Sequence, residues 1–338
     1  MRHFILHRLT ALIATLLVST ALQASPGFQH EIDSGPRPWT DRNFDAAEDK
    51  FTFAVFADLT GGEREGVFDV AVAQLNLLRP EFIVNVGDLI EGDPDRGEVD
   101  RQWADFDARA GKARAPVFYT GGNHDLLGET LQQAWADRLG PPYYHFVYKG
   151  VLFLVLDTED HTPERSREMA NLRAEALEVA AAEGWNAFAE TEYAQLPENA
   201  AGNISAEQST YFLEVLKRYP DVRHTFLLMH KAPWLREDLD TFTDLEAALG
   251  TRPYTVFHGH EHGYVYRQRR GRDYIQLATT GGVFLPENGD AYDQLLLVTV
   301  AEDVTIANLK MSGILDKTGR LPVNGSELCL DHEDCPDD

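Results

Sequence analysis

Five apolar runs, each closed by a residue able to bind or move charge, constrain this chain more than any other feature. FTFAVFAD ends at Asp58 and EFIVNVGD at Asp88. APVFYTGGNHD runs into Asn123 and His124, VRHTFLLMH ends at His230, and RPYTVFHGHEH closes on His260 and His262. Runs that are apolar at consecutive positions belong to strands buried on both faces. Between the first two, Val67, Val70, Ala71, Leu75 and Leu78 recur at helical spacing, and Arg79-Pro80 ends that helix. Residues 97–110 read as a second helix. YYHFVYKG and VLFLVLD read as a hairpin turning at Lys149-Gly150. An Ala- and Glu-rich helical insertion over 158–204 precedes the amphipathic helix SAEQSTYFLEVLKRYP. Further on come a helix near 240–249, a hairpin turning at Gly271 and two strands in QLLLVTVAEDVTIANLKM. Strand–helix alternation followed by hairpins predicts an α/β fold with two sheets covered by helices. In open α/β sheets ligands bind at the carboxyl ends of strands, where all the unusual polar residues of this chain fall.

The ends of the chain carry different signals. Residues 1–24 have two arginines and no acid, then a short apolar run, then small residues, which is the layout of a secretory signal peptide cut after Ala24. The run is shorter than the ~20 residues of a transmembrane span. Residues 25–50 read as a polar linker, 51–313 as the folded domain and 314–338 as an acidic tail. Cys329 and Cys335 are the only cysteines; an exported protein permits a disulfide between them, which would staple the tail alone. The expected location is secreted or periplasmic, with no membrane association after cleavage.

Composition narrows the partners. Fifty-five acidic residues against 30 basic ones give a net charge of −25 among 338 residues. Such a surface repels polyanions, so no nucleic-acid partner is expected. The arginines 267, 269, 270 and 272 form a local basic patch that reads best as a solvated hairpin. The sequence itself sets no oligomeric state.

Taken singly, each strand-end residue has an ordinary reading: an Asp forms a turn or caps a helix, a His satisfies a polar bond. Taken together, Asp58, Asp88, Asn123, His230, His260 and His262 form a ligand field of oxygen and nitrogen without thiolate. That donor set suits Zn, Mn or Fe.

On the segments GDLIEG, GGNHD, the lone His230 and HGHEH, in this order, the chain resembles the calcineurin-like metallophosphoesterase family from about Phe51 to Gly313. The resemblance implies a four-layer α/β/β/α sandwich with two mixed sheets and a site for two divalent metal ions. Asp58, Asp88 and His262 would hold the first metal. Asp88 would bridge to a second, completed by Asn123, His230 and His260. A hydroxide bridging the metals would attack phosphorus in line. His124 would face the leaving group as a proton donor, with Asp125 orienting it from behind; Asp125 also suits the N-cap of a helix over 126–139. One segment departs: Asp58-Leu59-Thr60 stands where the family has Asp-x-His, leaving Thr60 as a weak ligand, with Glu91 a candidate substitute. Thr60-Gly61-Gly62 and Thr279-Thr280-Gly281-Gly282 offer backbone N–H groups to a phosphate or form tight turns. Asp157, Glu159, Asp160 and His161 follow a strand end and are candidates to line the pocket. The resulting expectation is an exported phosphoester hydrolase acting on a small phosphomonoester or nucleotide. The alternatives are a phosphodiesterase on the same scaffold and a metal-binding protein without turnover.

Overall fold

The computed structural model describes residue 28, residues 37–40 and residues 44–335. The signal-peptide segment 1–24 lies outside the described residues. The chain divides into two units, Met1–Glu48 and Asp49–Asp338. In the first, the Phe28 ring lies 5.4 Å from that of Trp39 and 5.0 Å from that of Phe44. Everything that follows concerns the second.

Its elements run in the order β1 (Phe51–Phe56), α1 (Val67–Leu78), β2 (Phe82–Asn85), α2 (Arg96–Ala110), β3 (Val117–Phe118), α3 (Asn123–Leu126), α4 (Glu129–Leu139), β4 (Tyr144–Tyr148) and β5 (Val151–Val155). Then come α5 (Pro163–Glu183), α6 (Trp185–Phe188), α7 (Pro197–Ala200), α8 (Ala206–Arg218), β6 (His224–Leu228), α9 (Asp240–Leu249), β7 (Tyr254–His258), β8 (Val265–Arg269), β9 (Arg272–Gln276), β10 (Gln294–Val300) and β11 (Val304–Lys310). One sheet has the order β11-β10-β1-β2-β3 and the other β4-β5-β6-β7-β9-β8. Both are mixed. β1, β2 and β3 pair in parallel, as do β5, β6, β7 and β9, while β10, β11, β4 and β8 add antiparallel edges.

Side-chain alternation explains the layers. Along β1, Phe51, Phe53 and Val55 face the second sheet, whereas Ala54 and Phe56 face α1, α2 and α4. Along β5, Val151, Phe153 and Val155 join the same inter-sheet core, and Leu152 and Leu154 pack under α8 and α9. β5 is therefore apolar at every position, and β1 at all but Thr52, because each of their faces meets a different core. The result is a four-layer α/β/β/α sandwich. Phe53 and Phe82 stack at 5.3 Å, and Phe53 meets Phe153 edge-on at 5.3 Å, so aromatic rings fill much of the space between the sheets.

Two segments differ from expectation. The helix expected over 126–139 is two pieces, α3 and α4, separated at Gly128, whose φ of 96° suits glycine and breaks the helix. Asp125 lies inside α3 instead of capping the longer helix. The acidic tail is folded through residue 335: Leu330 is buried, the Leu330 carbonyl accepts from the Asp293 amide, Lys310 pairs with Asp331, and Cys329 is bonded to Cys335. The 158–204 insertion has a small core of its own, Met169, Ala176 and Tyr193 against Leu127. Among the described residues no helix is long and apolar enough to cross a membrane.

Candidate metal centre

The loops that follow β1, β2, β6 and β7, together with α3, bring Asp58, Asp88, Asn123, His230, His260 and His262 together. Two groups of potential ligand atoms form, Asp58–Asp88–His262 and Asp88–His230–His260, each with its atoms within 4.8 Å of one another. Asp88 belongs to both. Asn123 joins the second group, its Oδ1 3.1 Å from His230 Nε2.

The backbone bends sharply to achieve this. Asp58, Asp88, His260 and His262 have φ values of 42°, 58°, 76° and 52°, in the left-handed region that non-glycine residues seldom adopt. Such strain persists only where surrounding contacts over-determine it, and it gathers at functional sites. Glycines stand where the chain passes closest: a Cβ on Gly122 would collide with the Asp88 carboxylate, and one on Gly259 with that of Asp58.

Hydrogen bonds fix the protonation pattern. His230 Nδ1 donates to the Val86 carbonyl at 2.9 Å, His262 Nδ1 to that of Val283 at 2.7 Å, and His260 Nε2 to that of Asn199 at 2.7 Å. A carbonyl only accepts, so in each neutral ring the other nitrogen carries a lone pair. This is how histidines that bind metal are commonly held. His230 Nε2 then lies 3.1 Å from both Asp88 Oδ2 and Asn123 Oδ1, with three lone-pair atoms facing one another. Positive charge has to sit among them. Asp58 Oδ2 is likewise buried with no hydrogen-bond partner, an expensive state for a carboxylate unless a cation compensates it.

The electrostatics tell the same story. Burial pushes the Asp58 carboxyl well above its usual range. Burial also works against charge on Asp88 and His230, but their mutual attraction outweighs it, holding Asp88 well below its usual range and raising His230 to about 9. Burial lowers His262, and burial with the neighbouring Lys231 lowers His260. Without a metal the site is thus balanced by a proton on His230. A divalent cation would displace that proton on binding. The residues present fit such an ion by donor type, burial and lone-pair direction.

His124 sits at the rim of the same site. Its amide donates to Asp88 Oδ1 at 3.0 Å, and its Nδ1 to the Glu91 carbonyl at 2.8 Å. Asp125 takes a different part from that implied by the resemblance. Its buried carboxylate accepts from the amides of Asp88 (2.8 Å), Leu89 (3.0 Å), Ile90 (3.2 Å) and Gly122 (2.9 Å). It shapes the Asp88 loop, and the Glu91 carbonyl, not Asp125, orients the His124 ring.

Glu91 is also placed otherwise than expected. Its carboxylate accepts from the amides of Gly61, Gly62 and Glu63, clamping the loop after Asp58. Those N–H groups are therefore committed within the protein. So are those of Thr280, Gly281 and Gly282, which go to the Asp58 carbonyl and the Thr279 hydroxyl. Neither glycine turn offers these N–H groups to a phosphate. Thr60 is buried, and its hydroxyl donates to the Ile90 carbonyl at 2.8 Å.

Asp157, Glu159, Asp160 and His161 lie where the insertion joins the domain. Glu159 forms a fully buried ion pair with Lys231 at 2.8 Å, and Lys231 Nζ donates to the Glu198 carbonyl. Asp160 accepts from Gln208 and the Ser205 amide. Of the hairpin arginines, Arg269 and Arg270 both pair with Glu246. Sequence reasoning missed Lys231 and Arg173. Lys231 had a signal, a lysine directly after His230 at the end of an apolar run, because a buried lysine requires a partner.

Comparison with known proteins places the chain. No curated protein matches its sequence. A purple acid phosphatase from yellow lupin (Lupinus luteus) seeds superimposes with a TM-score of 0.50 at 14% identity, covering 86% of this chain and 57% of the phosphatase. The anchor protein of the inner membrane complex of Plasmodium aligns with a TM-score of 0.47 at 12% identity, covering 81% of this chain and 87% of that one. The chain thus spans little more than half the length of the lupin enzyme, and these likenesses concern the fold alone. The model of the calcineurin-like phosphoesterase family matches residues 51–264, more than half of the chain and a span that contains all six converging residues. The chain belongs to the calcineurin-like phosphoesterase family and is a metal-dependent phosphoester hydrolase.

Proposed function

We propose that the protein holds two divalent cations and hydrolyses a small phosphomonoester or nucleotide outside the cytoplasm. Asp58, Asp88 and His262 hold one ion; Asp88, Asn123, His230 and His260 hold the other. The observation that carries this reading is the pair of ligand groups sharing Asp88. A carboxylate has two oxygens and can serve both. Divalent cations supply Lewis-acid polarisation of the phosphoryl oxygens and a nucleophile generated from water near neutral pH.

The protein's own residues do the rest. Carbonyls of Val86, Val283 and Asn199 aim the ligand imidazoles. Asp125 and Glu91 hold the loops that carry Asp88 and Asp58. His124, fixed at Nδ1, presents Nε2 towards the leaving oxygen; protonated there as the imidazolium, it gives that proton to the leaving group. Zn, Mn and Fe all suit the donor set. With Thr60 bonded to Ile90, the first site draws on three protein ligands and the second on four, so their affinities differ. Export is supported by the pattern of residues 1–24 and by the Cys329–Cys335 bond, which suits an oxidising compartment.

The test is a panel of monoesters and diesters assayed with each metal added singly to chelator-treated protein. Turnover of monoesters that returns only with Zn, Mn or Fe is expected. Hydrolysis indifferent to chelator, or no ester cleaved with any metal, contradicts the reading.

A further inference from the structure

The inserted helix α5 carries a cation to the rim of the metal centre. Arg173 Nη2 lies 3.2 Å from His124 Nδ1 and 3.3 Å from Nε2. His124 Nδ1 is already engaged with the Glu91 carbonyl, so Nε2 is the one acceptor the ring can offer. A guanidinium has five N–H donors, and this contact uses few of them. Among the described residues no carboxylate stands within ion-pair distance of Arg173. Acid is not scarce, with 55 acidic residues against 30 basic ones. On the same helix Arg165 pairs with Glu168 and Glu198, and Arg167 approaches Glu129. Arg173 alone of the three is left without a counter-ion, and it points to the one place where an anionic substrate is required.

Two further observations locate that place. A methyl on Gly61 would lie 3.2 Å from His262 Nε2 and 3.7 Å from His124 Nε2, so both nitrogens border one small space. Arg173 also lines a groove of about 350 Å³ between α5 and the segments around Gly92 and Leu127–Leu131. Leu127, Leu131, Ala170, Ala174 and Leu177 give that groove an apolar wall. Arg173 is the side chain shared by groove and metal centre.

We propose that Arg173 makes the site selective for phosphomonoesters by binding the second negative charge of their phosphoryl group, while an apolar leaving group lies in the groove beside α5. The proposal deepens the functional reading above and rests on it for the position of the phosphoryl group. A monoester carries nearly two charges at neutral pH, its second pKa being about 6, whereas a diester carries one. A charged contact serving only the monoester changes the ratio of the two activities. A purely structural role, in which Arg173 holds the His124 ring, would lower both alike.

The experiment uses the metal-loaded full chain and three probes: 4-nitrophenyl phosphate, bis(4-nitrophenyl) phosphate and inorganic phosphate. Arg173→Ala should lower kcat/KM for the monoester by about 10- to 100-fold, the range of one charge-assisted hydrogen bond, chiefly through KM. The diester should change by less than about threefold, and phosphate binding by calorimetry should weaken with the monoester. Arg173→Lys should recover part of the loss. Ala174→Trp, at an exposed groove position, should lower the ratio of naphthyl to methyl phosphate hydrolysis at least tenfold. Equal losses on both esters with phosphate binding unchanged, or a naphthyl-to-methyl ratio untouched by Ala174→Trp, would overturn the proposal. Wild-type protein that binds phosphate through Arg173 but cleaves neither ester would instead overturn the catalytic reading and leave Arg173 as an anion-binding residue.

Discussion

At the scale of single residues, identity was legible where chemistry is rare and role was not. His230, His260 and His262 stand out as a set with Asp58, Asp88 and Asn123, because so many potential ligands at the ends of apolar strands have no shared structural use. Asp125 shows the limit: beside His124 in sequence, it reads as the partner of that ring, yet its oxygens go to four backbone amides, and no side-chain pattern records which amides a fold presents. Asp125→Ala leaves those buried donors unsatisfied at roughly 1–3 kcal/mol each before relaxation. Urea unfolding of the metal-free protein should therefore show a loss of about 3 kcal/mol or more, with Asp125→Asn intermediate. His124→Ala should keep both metals but lower kcat on esters with poor leaving groups by about 10²–10⁴-fold, the usual range for proton transfer, as checked by metal content alongside steady-state kinetics. Asp157 offers a pH test away from the metals. Burial, with Asp160 nearby, pushes its carboxyl up to about 8. The folded chain then keeps a proton that the unfolded chain has lost, so stability falls as pH rises from about 4 to about 8. Asp157→Asn should remove that slope, and its stability relative to wild type should grow by several kcal/mol, in order of magnitude, between pH 5 and pH 9.

At the scale of elements, β1, β2, β5, β6 and β7 were legible because they are buried on both faces, and the helices α1, α8 and α9 because their apolar positions recur at helical spacing. The insertion was legible only as helical. Its function depends on contacts far apart in sequence: Asn199 to His260, Arg173 to His124, and Glu159 and Glu198 to Lys231. The Lys231–Glu159 pair is fully buried at the point where the insertion meets β6. Removing one partner of such a pair strands a charge and costs about 3–5 kcal/mol, whereas replacing both with uncharged side chains is often neutral. Lys231→Met should therefore be strongly destabilising in denaturant unfolding, and Lys231→Met with Glu159→Gln should recover most of the loss. Additive losses would show that the two residues do not act as a pair. The tail was legible as acidic and as carrying the cysteine pair, but not its docking: Leu330 is buried, Lys310 pairs with Asp331 and Cys329 is bonded to Cys335.

At the scale of the whole molecule, the four layers follow from central strands buried on both faces, since two sheets and two helical layers are what it takes to cover such strands on both sides. That architecture gathers the carboxyl ends of β1, β2, β6 and β7, and the left-handed turns at Asp58, Asp88, His260 and His262 aim their side chains inward. The central claim is that these ligands form two unequal cation sites sharing Asp88. Calorimetric titration of metal-free protein with Zn or Mn tests it most directly. Two cations per chain with distinct affinities are expected, Asp88→Asn weakening both and His230→Ala only the tighter. A single cation per chain, or an Asp88→Asn variant that loses one site and leaves the other untouched, would contradict the account.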